Sequence, residues 1–328
     1  MCTAITIQSP SGNIWFGRTM DFSYQLDPKM YQVPRNYRWG NLCGTHTIQN
    51  RYSFLGTGQD INPVVFADGV NESGFAAAAL YFPGYASYEP PESAGSSNLS
   101  IAAIEIVGFL LGQCSSVRQA SGILKSIQIV GIEDSVTKSV APLHWIITDK
   151  DGGCLVIEKT SDGLHLWNNP IGVLTNSPDF PWHMCNLRNF AGLSPRQNED
   201  AEWLEAKLSP FGQGAGSTGL PGDFTPPGRF VRTAFIKSFM EIPEERNELP
   251  AACFHALEGV MIPKGVVVTG REAADYTQYT AVIDLAEQEY FVRRYDELDT
   301  VRVKADWSKC REIVVDVYKR QVQYGAPG

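Results

Sequence analysis

"MCTAITIQ", residues 1–8, places a cysteine directly behind the initiator methionine at the start of an apolar, β-branched run. If Met1 is removed, Cys2 carries a thiol and a free α-amine on one Cα, so a nucleophile and a candidate base share one residue. Residues 14–20 are again rich in Ile, Trp, Phe and Thr, and "SPSGN" between the two runs is turn chemistry. The pair reads as a β-hairpin whose first strand starts at Cys2.

That hairpin folds "FGRTMDF", residues 16–22, back beside Cys2. A free thiol titrates near about 8.5 and an α-amine near about 7.7–8.0, so passing the proton from sulfur to nitrogen costs only about 1 kcal/mol. An arginine within a few ångströms lowers a neighbouring acidic pKa by about 1–3 units, enough to reverse that balance. Arg18 is the candidate cation, and Asp21 the candidate group to bind and orient the ammonium. In a strict strand residues 18 and 21 point to opposite faces, so the strand must end or bulge before Asp21 for both to reach the site.

Further out, the composition limits the function classes. The 328 residues are 43% hydrophobic, 11% aromatic and 19% charged, which is globular, and no break divides them, so 1–328 reads as one domain. Against 27 Lys and Arg stand 36 Asp and Glu, a net charge of -9, with no basic run interleaved with aromatics; a nucleic-acid partner is excluded. No window is long and apolar enough for a membrane span, and no basic, apolar and small-residue leader opens the chain, so a cytoplasmic protein is expected. The seven cysteines are odd in number, irregularly spaced and without CxxC, which points to neither a disulfide framework nor a zinc site. The five histidines have no HExxH spacing and read as packed or surface residues. No metal or cofactor is expected. "GAGSTG" at 214–219 mimics a dinucleotide fingerprint, but no strand precedes it and no helix follows it directly, so it reads as a glycine-rich loop.

β character recurs in "RYSFLGTG" and "GFAAAALYF", and Asn98 or Ser100 is expected to cap an apolar helix running to about Leu111, with Ser115 or Ser116 capping the next. "PLHWIITD", "CLVIEKT" and "LHLWNN" read as a meander, helices resume near Trp182 and cover "RFVRTAFIKSFM" and "PAACFHALEGVM", and "YTQYTAVIDL" with "EYFVRRYD" forms a closing hairpin. Clustered strands and clustered helices favour antiparallel sheets layered with helices. The tail beyond about Val317 carries no periodic pattern and is assigned no function.

Taken in order, "MCTAITIQ", "FGRTMDF", "FADGVNESG", "LYFPGYASY", "PLHWIITD", "GVLTNSPDF", "GLPGDFTPPGRFVR" and "YTQYT" span nearly the whole chain and resemble the choloylglycine hydrolase family, whose members are penicillin V acylases and conjugated bile salt hydrolases. The resemblance implies an α+β fold, the four-layer αββα sandwich of N-terminal nucleophile hydrolases. It implies Cys2 as the nucleophile with Arg18 and Asp21 around it, Asn176 of "TNSP" as an oxyanion donor, the backbone amide of Tyr81 as the other, and Arg229 of "PPGRFVR" as a second active-site arginine. "NLRNFAGLSPRQN" is similar to the loop that members use for tetramer assembly, which implies a homotetramer.

The expected activity is hydrolysis of a small-molecule amide. Tyr81 stands where the resembled bile salt hydrolases have Asn and penicillin V acylases have Tyr, so penicillin V is the expected substrate, with Met20, Phe22, Tyr24, Tyr81 and Phe82 enclosing its flat phenoxyacetyl group. Conjugated bile salts are the alternative; acyl-homoserine lactone cleavage and a non-catalytic binder of amphipathic molecules are the further ones.

Overall fold

The computed structural model describes residues 1–26, 28–95 and 99–308. Its organising unit is the opening hairpin. Strand Cys2–Gln8 pairs antiparallel with Ile14–Phe22, Cys2 opposite Met20 and Ala4 opposite Arg18. The turn between them is closed by hydrogen bonds from Asn13 N to Ser9 Oγ and from Gly12 N to Ser9 O, with Gly12 at a φ of +91° that an L side chain resists.

The hairpin lies inside a six-stranded antiparallel sheet, ordered Val173–Leu174, Cys2–Gln8, Ile14–Phe22, Tyr276–Asp284, Glu289–Arg294, Val301–Lys304. A second antiparallel sheet of seven strands runs Gly163–Asn168, Cys154–Thr160, Leu143–Asp149, Phe75–Tyr81, Val64–Asn71, Phe54–Asp60, Lys29–Val33. The expected meander and closing hairpin are both present in these sheets.

Period-two alternation assigns the faces. In Phe75–Tyr81, Ala76, Ala78 and Leu80 join the core shared with the first sheet, whereas Phe75 and Ala77 pack on the opposite side with Ile106, Leu110 and Leu111 of helix Ile106–Gln113. The first sheet's outer face is covered by helices Pro226–Phe239 and Leu249–Glu258, through Phe230, Ala234, Cys253 and Leu257. Helix, sheet, sheet, helix is the four-layer α+β sandwich, with each sheet burying both faces.

One local expectation changes. Ser100 caps no helix: Leu99–Ala102 is a strand paired in parallel with Ile127–Val130, and a single 3₁₀ turn, Ala103–Glu105, leads into helix Ile106–Gln113. The β-branched and apolar "LSIA" finds a strand partner, which outweighs the local capping signal. The alternative cap Asn98, like the tail beyond Val317, lies outside the described residues. Ser116 does cap Val117–Leu124, its side chain accepting Gln119 N–H. Among the described residues no helix is long and apolar enough to cross a membrane, and no group of His, Cys, Asp and Glu side chains is arranged to hold a metal ion.

Candidate active site

Strand alternation along Ile14–Phe22 sends Arg18, Met20 and Phe22 between the two sheets and Thr19 and Asp21 towards the helices. Arg18 is fully buried. Its Nη2 donates to Cys2 Sγ at 3.0 Å, and its Nη1 reaches Ala67 O at 3.1 Å, Ala79 O at 3.2 Å and Asp68 Oδ2 at 3.4 Å. Burial opposes the guanidinium charge, but Cys2, Tyr279, Asp68 and Asp21 outweigh it and hold Arg18 above its ordinary value. Asp68 is itself gripped by Tyr279 Oη at 2.9 Å and Tyr290 Oη at 3.1 Å, so the cation is anchored on the side away from sulfur.

Asp21 works from the other face. The strand neither ends nor bulges before it; the extra residue is in the partner strand, between Thr277 and Tyr279, so Thr277 stands opposite Asp21 and Tyr279 opposite Met20. Arg18 and Asp21 therefore do point to opposite faces, and Cys2 lies between them. Arg18 meets the thiol, while Asp21 borders the main chain before it: its N–H donates to Met1 O at 3.0 Å and its carbonyl accepts the Met1 ammonium at 2.6 Å. Thr277 Oγ1 at 2.6 Å and Thr19 Oγ1 at 3.2 Å donate to its carboxylate. Burial pushes that carboxyl up, against the pull of Arg229.

Arg229 comes from the first turn of helix Pro226–Phe239. Thr225 caps this helix onto Gly228 N–H, the two prolines occupy its opening positions, and a Cβ at 228 would overlap the Asp223 carboxylate. The fully buried guanidinium donates to Cys2 O at 2.7 Å, Thr3 Oγ1 at 2.6 Å and Asn176 Oδ1 at 2.7 Å, and lies 3.8 Å from Asp21. Asn176 Oδ1 also accepts Cys2 N–H at 2.9 Å. Two pure donors on one oxygen fix the amide's orientation, and Nδ2 gives one of its two N–H groups to Tyr81 O at 2.7 Å. Cys2, Arg18, Asp21, Tyr81, Asn176 and Arg229, distant in sequence, thus meet in one cluster.

The thiol opens onto an apolar cleft lined by Met20, Phe22, Leu26, Phe66, Ala79, Tyr81, Leu143 and Tyr279. Phe22 and Tyr81 meet edge to face, ring centres 6.4 Å apart. Two of the five expected enclosing residues are elsewhere. Phe82 follows Tyr81 and so faces the other way; it is fully buried, stacked on His144 at 4.2 Å. Tyr24 lies beyond the end of its strand, 46% exposed, beside Phe22 and under the Arg271 guanidinium.

Sequence reading missed Asp68, Thr3, Thr19, Thr277 and Asp275, whose carboxylate lies 3.2 Å from the Met1 ammonium. Asp68 has a signal in "FADG", a buried-strand acid that the family resemblance includes. The threonines had none, because hydroxyls in strands read as ordinary β formers. Of the other cysteines, burial pushes Cys114, Cys154 and Cys253 up to about 12, as plain core thiols, and Cys185 is exposed.

The sequence profile of the linear amide C–N hydrolases, choloylglycine hydrolase family, matches residues 2–316. A bile salt hydrolase/transferase of Clostridium perfringens is 36% identical over 298 residues, covering 90% of each chain. The crystal structure of the C2A mutant of conjugated bile acid hydrolase from the same organism superposes with a TM-score of 0.87 at 33% identity over 95% of both chains. A penicillin V acylase of Pectobacterium atrosepticum is a more distant relative, 22% identical over 84% of this chain and 72% of its own. With the two-sheet sandwich and the cysteine at its head, these matches make the chain an amide hydrolase that belongs to the choloylglycine hydrolase family of linear amide C–N hydrolases.

Proposed function

We propose that this chain hydrolyses the amide of conjugated bile salts with Cys2 as nucleophile. The observation that carries the chemistry is the 3.0 Å contact from Arg18 to the Cys2 sulfur at the floor of an apolar cleft. Once Met1 is removed, the Cys2 α-amine takes the thiol proton and sulfur attacks the amide carbonyl carbon. The second N–H of Asn176 Nδ2 and the Tyr81 backbone N–H hold the oxyanion. The C–N bond breaks as the α-ammonium protonates the departing amine, leaving a thioester. Water, deprotonated by the α-amine, attacks the thioester carbon and releases the bile acid and the thiol. Arg229 holds the Cys2 carbonyl and Asn176 in place, with Asp21 as the carboxylate 3.8 Å from its guanidinium.

Relatedness supports the bile-salt reading over the penicillin reading. The chain is 36% identical to a bile salt hydrolase/transferase and 22% identical to a penicillin V acylase. The apolar lining, which includes Leu26, Phe66 and Leu143, suits a steroid acyl group, with the amide delivered to Cys2. Penicillin V remains as a second reading on one observation, the Tyr81 ring set edge to face against Phe22, which narrows the cleft beside the nucleophile and suits a flat aryl group. Assembly as a homotetramer belongs to the same proposal. It is supported by the exposed apolar side chains Trp203, Leu204 and Phe211, on the segment that follows "NLRNFAGLSPRQN".

The test is amine release from glycocholate, taurocholate and penicillin V by one preparation. A kcat/KM at least tenfold higher on a conjugated bile salt is expected. A tenfold preference for penicillin V, about 1.4 kcal/mol in transition-state binding, overturns the substrate assignment.

A further inference from the structure

Two buried histidines that the chemistry above does not use flank Asn176. His183, from helix Phe180–Asn186, directs Nε2 at Asn176 O, 2.8 Å away; His144, from strand Leu143–Asp149, directs Nε2 at Thr175 O, 3.0 Å away. A carbonyl oxygen only accepts, so both Nε2 atoms carry hydrogen. Each ring is wedged flat against a phenylalanine: His144 on Phe82 at 4.2 Å and 5°, His183 on Phe230 at 4.6 Å and 15°. Neither histidine is accessible, both being 0% exposed.

The support extends one shell outward. His144 Nδ1 faces Glu158 Oε1 at 3.3 Å, and because His144 Nε2 is already committed as a donor, the contact holds only with a proton between nitrogen and carboxyl. Glu158, equally buried, also accepts Phe180 N–H at 2.9 Å and Trp167 Nε1–H at 3.0 Å. One carboxyl therefore fixes the orientation of His144 and the start of the helix that carries His183. Burial lowers His183 to about 4, so it stands neutral with Nε2 protonated, and its Nδ1 has no hydrogen-bond partner. Leaving a buried ring nitrogen unpaired is costly, and the ring keeps its single donor on Asn176 O all the same.

We propose that His144 and His183 are positioning residues for the oxyanion site: they clamp the consecutive carbonyls of Thr175 and Asn176 so that the Asn176 amide meets the charge that develops in the transition state. Glu158 acts through both. The inference rests on the reading of Asn176 as an oxyanion donor. A small displacement of such a donor costs up to about 100-fold in rate, whereas the Arg18 contact that favours the thiolate comes from another strand.

The experiment compares His183→Phe and His144→Phe, which keep the stacking area and lose the donor, with His183→Gln and His144→Gln, which keep an N–H. Asn176→Ala serves as reference. Three quantities are read on glycocholate and penicillin V: kcat, KM and the rate of iodoacetamide alkylation at Cys2. The expected result is a fall in kcat of tenfold or more in the Phe variants, KM and alkylation within twofold of wild type, and recovery to within about threefold in the Gln variants. The proposal is overturned if Asn176→Ala loses activity while the Phe variants keep theirs, or if kcat, KM and alkylation fall together without rescue by Gln. An Asn176→Ala enzyme with unchanged kcat refutes the oxyanion reading itself, and the clamp with it. The two histidines lie on different elements, so a variant that does not fold at one position leaves the other to decide.

Discussion

Arg18 Nη2 points at Cys2 Sγ from 3.0 Å while Arg18 Nη1 is tied to Asp68, so the cation meets a buried thiol and a buried carboxylate at once. Arg18→Ala removes both contacts. The expected outcome is iodoacetamide alkylation of Cys2 slowed by tenfold or more, measured by peptide mapping with Cys185 as the exposed control. Asp68 is left without its cation, which costs about 3–5 kcal/mol and shows in the urea midpoint. Unchanged alkylation in a folded variant would separate Arg18 from the nucleophile.

Active enzyme is expected to lack Met1. With Met1 present, Cys2 N is an amide donating to Asn176 Oδ1, and the chain's ammonium sits a residue away, 3.2 Å from Asp275. An amide nitrogen cannot take the thiol proton. Intact-mass measurement of active preparations decides, and stoichiometric retention of Met1 would sink the α-amine as base. Cys2→Ala should abolish turnover and leave the melting curve in place.

Tyr81→Asn changes the cleft wall without touching the backbone amide at that position. The side chain withdraws an aromatic edge from Phe22 and offers an amide to a polar substrate. The ratio of kcat/KM for glycocholate over penicillin V is expected to rise about threefold or more, with activity retained. A ratio that stays put means the Tyr81 ring does not select the substrate.

Glu105 gives the fold a pH dependence. Burial lifts its carboxyl to about 7, although it accepts Leu42 N–H at 2.8 Å and Ala102 N–H at 3.0 Å. A folded-state value above the ordinary 4.5 means the native protein holds this proton more tightly than the unfolded chain. The contribution is complete below about pH 4.5 and lost as pH rises through about 7, on the order of 3 kcal/mol. Urea midpoints at pH 5 and pH 8 should therefore fall further in wild type than in Glu105→Gln. Parallel behaviour of the two proteins would show that Glu105 does not carry the effect.

The sandwich was legible because its strands alternate and its turns are rich in glycine, and part of the candidate cluster because Cys2, Arg18 and Asp21 fall in one hairpin. What the sequence hid were relationships between faces. Reading Arg18 and Asp21 as converging on one point required a bulge in their own strand; the chain keeps that strand regular, shifts the partner at Gln278, and places Cys2 between the two. Chemistry alone makes Phe82 a cleft residue, whereas alternation after Tyr81 turns it onto His144. The same blindness covered His144 and His183, whose spacing carries no motif because their partners are backbone carbonyls. Such contacts leave no residue-type signature to find.

The pairing of Phe22 with Tyr276 has a consequence in time. The strand that faces Cys2 needs a neighbour that starts at Tyr276, so the first sheet cannot close until the chain has been synthesised that far. At about 5–20 residues per second, the amino terminus emerges on the order of 10–50 s before that neighbour exists. Throughout that interval Asp275, which holds the Met1 ammonium at 3.2 Å in the folded chain, has not yet been made. Afterwards the folded sheet holds the terminus in place. On the proposed mechanism, which needs Cys2 at the terminus, late closure of the sheet leaves Met1 with one anchor fewer while the chain is being made.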